Sequence, residues 1–170
     1  MSYHQVMGLD YEPNPFQVEH ATLRARFLAL QRLVHPDRWA AKSPIKGDIA
    51  ARVSEAVNTI NSHLSNPFLR AAYILEREGI TDNPESILDN PAVVMEVMEV
   101  REALEEAQTE EEVEEIRVQN KANMNDVQEE LSEFVAAKAW DRVSEAAIRL
   151  KYLQGIEQAA RAWPNRAHDH

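Results

Sequence analysis

Apolar residues recur along this chain with a helical period almost throughout. Leu23, Phe27, Leu30 and Val34 stand at i, i+4, i+7 and i+11, one stripe of a helix predicted from about Val18 to Leu33. Ile49, Val53, Val57, Ile60 and Leu64 mark a second helix, from about Ile45 to Ser65, and the short flanks predict that the two pack antiparallel. Ahead of them, Tyr3 to Leu9 reads as a short apolar helix that Gly8 ends. Asn66-Pro67 has the form of an N-cap followed by proline at the first helical position, opening a helix from Phe68 to Glu78 that Gly79 stops.

Further along, Asn90-Pro91 opens a helix that runs to about Gln108. Thr109, with Glu112 three residues on, forms a capping box and starts another, to about Ala136. A last helix runs from about Trp140 to Trp163. Val113, Ile116, Met124, Val127, Leu131 and Phe134 give the middle helix one buried stripe. The predicted fold is all-α: a helical hairpin with short flanking helices over residues 1–78, a linker at 79–90 around Asp82-Asn83-Pro84, and a three-helix bundle over 91–170, its tail frayed from Pro164.

Charge divides the chain at the same place. Residues 1–78 carry nine Lys/Arg against eight Asp/Glu, whereas residues 79–170 carry nine against twenty-one. A near-neutral half with local arginines and a strongly acidic half predict two surfaces with different partners. The net charge of −11 argues against nucleic acid, which needs a large cationic footprint. No apolar run approaches the roughly 20 residues that span a bilayer, so no membrane partner is expected. The opening MSYHQVMGLD has neither a basic leader nor an apolar signal core. The absence of cysteine excludes disulfides, thiolate metal sites and cysteine nucleophiles.

Between the two hairpin helices stands Leu33-Val34-His35-Pro36-Asp37-Arg38-Trp39. Pro36 cannot lie inside a helix, since it lacks an N–H and its ring clashes with the preceding turn. His35 is pushed towards extended backbone by the proline after it. His35, Pro36 and Asp37 therefore make a rigid, exposed corner that shows an imidazole and a carboxylate. Alone, the tripeptide is ordinary turn vocabulary. Placed between two antiparallel amphipathic helices, the first carrying arginines and preceded by a short Tyr-led helix, it resembles the J-domain of co-chaperones that stimulate DnaK-type ATP-dependent chaperones.

The resemblance extends over nearly the whole chain. Asn58-Thr59-Ile60-Asn61, the stretch Asn66 to Leu75, Met95 to Glu102, and Arg149 to Leu153 are similar to the iron–sulfur cluster co-chaperones of the HscB/Jac family. That resemblance implies that His35, Pro36 and Asp37 couple docking to ATP hydrolysis by the partner. It also implies that Arg24, Arg26, Arg32 and Arg38 supply a cationic face for that chaperone. An exposed arginine face is by itself an ordinary solvated surface.

The helix from Pro91 is apolar on more sides than one core contact needs. Val93, Val97, Val100 and Leu104 form one stripe; Val94 and Met98, with Met95 beside them, form another. The second stripe is either buried against a further helix or an exposed patch for a protein partner, a setting that suits methionine. On the last helix Leu150 and Leu153 make the better core pair, which leaves Tyr152 at the edge. In the family resembled, the positions held here by Val94, Met98 and Tyr152 bind the iron–sulfur scaffold protein, often with leucine at the first two and phenylalanine or tyrosine at the third, so the patch here is smaller at Val94. Met95 joins this patch, and Glu99 and Glu102 rim it or are simply solvated.

Other chemistry is not indicated. The six histidines (His4, His20, His35, His63, His168, His170) show no metal-ligand spacing on a shared helix face, so no metal and no cofactor are expected. No glycine-rich phosphate loop or other small-molecule site is legible. His35 and Asp37 flank a proline rather than a nucleophile, so a catalytic triad is unsupported and the chain is expected not to be an enzyme. A non-catalytic helical adaptor, holding two proteins without stimulating an ATPase, is the alternative, and His35→Gln separates the two. Similarity around Tyr152-Leu153-Gln154-Gly155-Ile156-Glu157 and Trp163 to the eukaryotic branch favours the mitochondrial matrix, with the bacterial cytoplasm as alternative.

Overall fold

A computed structural model describes residues 1–80 and 90–164, and among these the chain is all-α. The linker expected at 79–90 falls, from 81 to 89, outside the described residues, as do the tail from 165 and with it His168 and His170. The chain divides into two compact units, Met1–Ile74 and Leu75–His170.

The first unit is built on α1 (Tyr3–Val6), α2 (His20–Val34), α3 (Pro36–Ala40), α4 (Pro44–Ser65) and the start of α5 (Pro67–Arg77). Ser2 caps α1 through a reciprocal pair of bonds with Gln5, and Asn66 accepts from the N–H groups of Phe68 and Leu69 at 2.9 and 3.2 Å to start α5. α2 and α4 close on Met7, Leu23, Val57, Ile60 and Leu64, with Phe27 and Leu30 alongside. Midway along the pair, Gln31 donates to the Asn58 side chain (2.9 Å) and accepts from Ser54 Oγ (2.8 Å). Those two bonds fix the register of an otherwise greasy seam.

Two expectations fail at the hairpin tip. Ile49 and Val53, read as core, are 55 % and 41 % exposed. The stretch after Pro36 is not a bare corner either, but the short helix α3. The two departures share one cause. α3 packs on the neighbouring stripe of α4, where Gly47 and Ala50 are buried, so the core turns towards small residues and leaves Ile49 and Val53 uncovered. A Cβ built on Gly47 would lie 2.9 Å from Ala40 Cα, closer than real contacts allow. Gly47→Ala should therefore push α3 off α4 and destabilise the first unit by about 1–3 kcal/mol. Urea titration in a background with Trp140 and Trp163 replaced by Phe, so that Trp39 is the sole fluorophore, measures this.

Arg70 on α5 is a buried cation, only 4 % exposed. It donates to the Leu64 carbonyl at 2.6 Å and stacks over the Phe16 ring at 4.4 Å. Burial pushes its pKa down to about 10. The cost of holding the charge is thus fully present at neutral pH and is relieved only as pH rises through about 10. Arg70→Ala should lower stability by about 1–3 kcal/mol, because the end of α4 then keeps an unmet carbonyl. Arg70→Met, which keeps apolar bulk beside Phe16 without the buried charge, should recover part of that in the same titration.

The second unit contains α6 (Pro91–Glu106), α7 (Glu110–Ala136) and α8 (Trp140–Arg161). Thr109 Oγ1 accepts from the Glu112 N–H at 3.2 Å. Glu112 reaches back one residue further than the capping-box pattern predicts, accepting from the Gln108 N–H at 2.8 Å. Val127, Leu131, Val135, Val143, Leu150, Leu153 and Ile156 form the sealed core. On α7 the stripe departs from expectation: Ile116, Met124 and Phe134 are half-buried, while Asn120 and Val135 are buried. Asn120 is tolerated because its amide donates to the Leu153 carbonyl of α8 at 2.8 Å. Arg117 and Arg161 both clasp Glu157 at 2.9 Å. Burial alone would raise the Glu157 carboxyl, but the hydrogen bonds and charge of these two arginines outweigh it and hold the pKa below the ordinary carboxylate range.

Candidate functional site

The hairpin tip is a projection with a stiff frame. His35 takes an extended backbone (φ −58, ψ 127), ends α2, and at the same time caps α3, its Nδ1 accepting from the Asp37 N–H at 3.3 Å. Pro36 occupies the first helical position, where its missing N–H costs nothing. One turn on, the Trp39 indole donates to the Leu33 carbonyl at 2.8 Å and tethers α3 to the end of α2. The same His35 nitrogen lies 3.7 Å from the Asp37 carboxylate. Asp37 is 93 % exposed at its side chain and His35 58 %.

All four predicted arginines are exposed. They do not form one surface. At about 100° per residue, Arg24 and Arg32 fall about 80° apart on one flank of α2, with the 41 % exposed Leu28 between them. Arg26 lies on the opposite flank, its guanidinium folded beside Gly8, and Arg38 belongs to α3. Arg24 and Arg32 are thus brought together, and Arg26 is separated from them.

The tip also carries a feature that helical periodicity did not reveal. Leu33, Val34, Trp39, Ile49, Ala50 and Val53 line an apolar hollow of about 260 Å³ directly beside His35-Pro36-Asp37. The usable signal was the pair Gly47 and Ala50, too small to cover the large residues next to them.

In the second unit the apolar excess of α6 is settled in favour of exposure. Met95 and Met98 are 60 % and 57 % exposed, and Val94 is half-buried at the edge of the core stripe. Tyr152 is 36 % exposed, between the fully buried Leu150 and Leu153. Arg149 binds Glu96 at 3.1 Å, and Gly155 faces the Arg101 guanidinium, so α6 and α8 run parallel with matched levels. Tyr152 lies one turn from each of these contacts, level with Met98. Val94 and Met98 lie about 20° and 60° around α6 from Arg101, on the flank that meets Gly155, so they border α8 near the level of Tyr152. Glu99 and Glu102 are exposed on the outer side of α6. Among the described residues no group of three or more His, Cys, Asp or Glu side chains is placed to hold a metal ion, and no helix is long and apolar enough to cross a membrane.

Known proteins resemble this chain along nearly its whole length. Residues 89–161 match the family model of the HSCB C-terminal oligomerisation domain. A co-chaperone protein HscB homolog from Aliivibrio salmonicida is 27 % identical over 163 residues, covering 93 % of this chain and 94 % of the relative. The human iron-sulfur cluster co-chaperone protein HscB is 30 % identical over 145 residues, covering 84 % of this chain and 61 % of that protein. The crystal structure of human co-chaperone protein HscB superposes with a TM-score of 0.86 at 27 % identity, over 95 % of this chain and 81 % of that one. Family model, relatives and fold converge on the HscB-type iron–sulfur cluster co-chaperones as the proteins this chain is similar to.

Proposed function

We propose that the chain couples two proteins, stimulating the ATPase of a DnaK-type chaperone through the hairpin tip while its second unit delivers an iron–sulfur scaffold protein to that chaperone. The observation that carries this reading is the exposed Asp37 carboxylate at a helix start braced by Pro36, His35 and Trp39. A fixed anion can compete for an ion pair inside the partner and shift its conformational equilibrium. The flank formed by Arg24 and Arg32, with Arg38 on α3, supports steering onto an acidic chaperone surface. Arg26, turned towards Gly8, has the weaker claim.

Val94, Met95, Met98 and Tyr152 form the scaffold contact, with Glu99 and Glu102 as its acidic rim. Residues 1–78 act as the J-domain, 79–90 as linker and 91–170 as the scaffold-binding domain. Hydrolysis itself belongs to the chaperone, so the chain acts as an activator and not as an enzyme. The segment around Tyr152 and Trp163 supports a mitochondrial matrix location, and the length shared with the bacterial relative supports the bacterial cytoplasm. The test is steady-state ATP turnover by the purified chaperone, with chain and scaffold added singly and together. Turnover should rise with the chain and rise further with both. A rate unchanged by the chain would leave it a passive adaptor.

A further inference from the structure

α6 leans on α8 and touches α7 only lightly, which leaves an open groove of about 300 Å³ on its other side. Val100 and Ala103 of α6 and Ile116 of α7 form its apolar floor, over the buried Asn120, and Glu99 and Glu115 stand on opposite rims. Neither carboxylate has a basic partner among the described residues. The groove is continuous with the patch on the α8 side. At about 100° per residue, Met98, Glu102, Met95, Glu99 and Ala103 follow one another around the outer face of α6, about 140° from first to last. Every one of these except the acids is apolar, and all are exposed.

We infer, on the reading that the scaffold binds at Val94, Met98 and Tyr152, that its contact is bipartite: a basic segment of the scaffold crosses α6 and seats one apolar side chain in the α6–α7 groove. The chemistry selects the occupant. The slot takes a single aliphatic or aromatic group, and the two rim acids call for Lys or Arg on either side of it. The reach is short. A helix with its side chains is about 10–12 Å across, so three or four extended residues carry a chain from the seam with α8 to the groove.

The experiment is calorimetric titration of the full chain with purified iron–sulfur scaffold protein at low and high salt. Ala103→Leu fills the slot from an exposed helical position and should weaken binding about tenfold. Glu115→Lys lies on α7, away from the seam with α8, and should weaken binding about tenfold at low salt and less at high salt. Circular dichroism and thermal midpoint verify that each variant is folded; Glu115→Lys, a pure surface change, carries the test should Ala103→Leu unfold. Wild-type affinity in both folded variants, with binding lost in the Val94/Met98/Tyr152 triple alanine, overturns the groove and leaves the scaffold reading standing. Wild-type affinity in the triple alanine overturns the scaffold reading and the groove with it.

Discussion

Asp37→Asn should abolish stimulation of the chaperone's ATPase while leaving the chain folded. The substitution removes one charge and keeps the shape. Asp37 contributes its backbone N–H, not its carboxylate, to the start of α3, and the carboxylate is 93 % exposed with no bond in its own fold other than the long approach to His35. Stability should therefore change by less than about 0.5 kcal/mol, the usual scale for surface substitutions. At the proposed chaperone interface the same change would remove one member of a charge pair, a loss of about 2–5 kcal/mol where the contact is desolvated. Stimulated turnover is the readout. Unaltered stimulation by Asp37→Asn would mean that the tip acts by shape alone. His35→Gln provides a graded control, since glutamine still offers an acceptor to the Asp37 N–H but not a rigid ring.

The second large effect belongs to α6 and α8. Replacing Val94, Met98 and Tyr152 together by alanine should reduce affinity for the scaffold by about a thousandfold, equivalent to about 4 kcal/mol. Tyr152 should dominate, because tyrosine offers a large rigid face at little entropic cost and is enriched among residues that each contribute about 2 kcal/mol or more. Met98 adapts to whatever packs against it. Val94 should matter least, being half-buried and short. The bundle itself should survive, since Val97, Leu104, Leu150 and Leu153 remain as its core and the three substituted residues lie outside it. Chaperone stimulation by the triple variant alone, without scaffold, should equal that of wild type. This separation of the two activities distinguishes a lost contact from a damaged protein.

Much of this could be read from residue order, and the exceptions are instructive. Asn66-Pro67, Thr109 and Gly79 announce helix ends because cap chemistry is local: an Asn oxygen meets two N–H groups within three residues, and Gly79 adopts φ 76 at no steric cost. Tyr152 at the edge was legible for a similar reason, since its neighbours Leu150 and Leu153 claim the core. Ile49 and Val53 were not. Periodicity tells which side of a helix is apolar, but not whether a partner helix reaches far enough to cover it. That depended on α3, and a proline marks the end of one helix and the first turn of the next equally well. Asn120 was missed because an amide in an apolar stripe is readable only once the Leu153 carbonyl opposite it is known. The split of the arginines was hidden in plain angles: Arg24 and Arg26 are two residues apart and so about 200° around the helix.

The exposed hollow beside the tip and the exposed methionines of α6 share a physical character. Each is an apolar surface that a lone chain leaves wet, next to charge that orients a partner. They lie in different compact units, which suits one chain holding two different proteins at once. On the proposed function, joining them on one polypeptide would replace a three-body encounter by a local one, with an effective concentration that a free partner reaches only at high total concentration.

That linkage is most directly examined by complementation. Chaperone ATPase is measured at low scaffold concentration with wild type, with Asp37→Asn, with the Val94/Met98/Tyr152 triple alanine, and with an equimolar mixture of the two variants. Each mixture component keeps one working surface. Delivery by a single chain predicts scaffold-dependent stimulation with wild type and none with the mixture, because the tip and the patch then sit on separate molecules. Full scaffold-dependent stimulation by the mixture would contradict it.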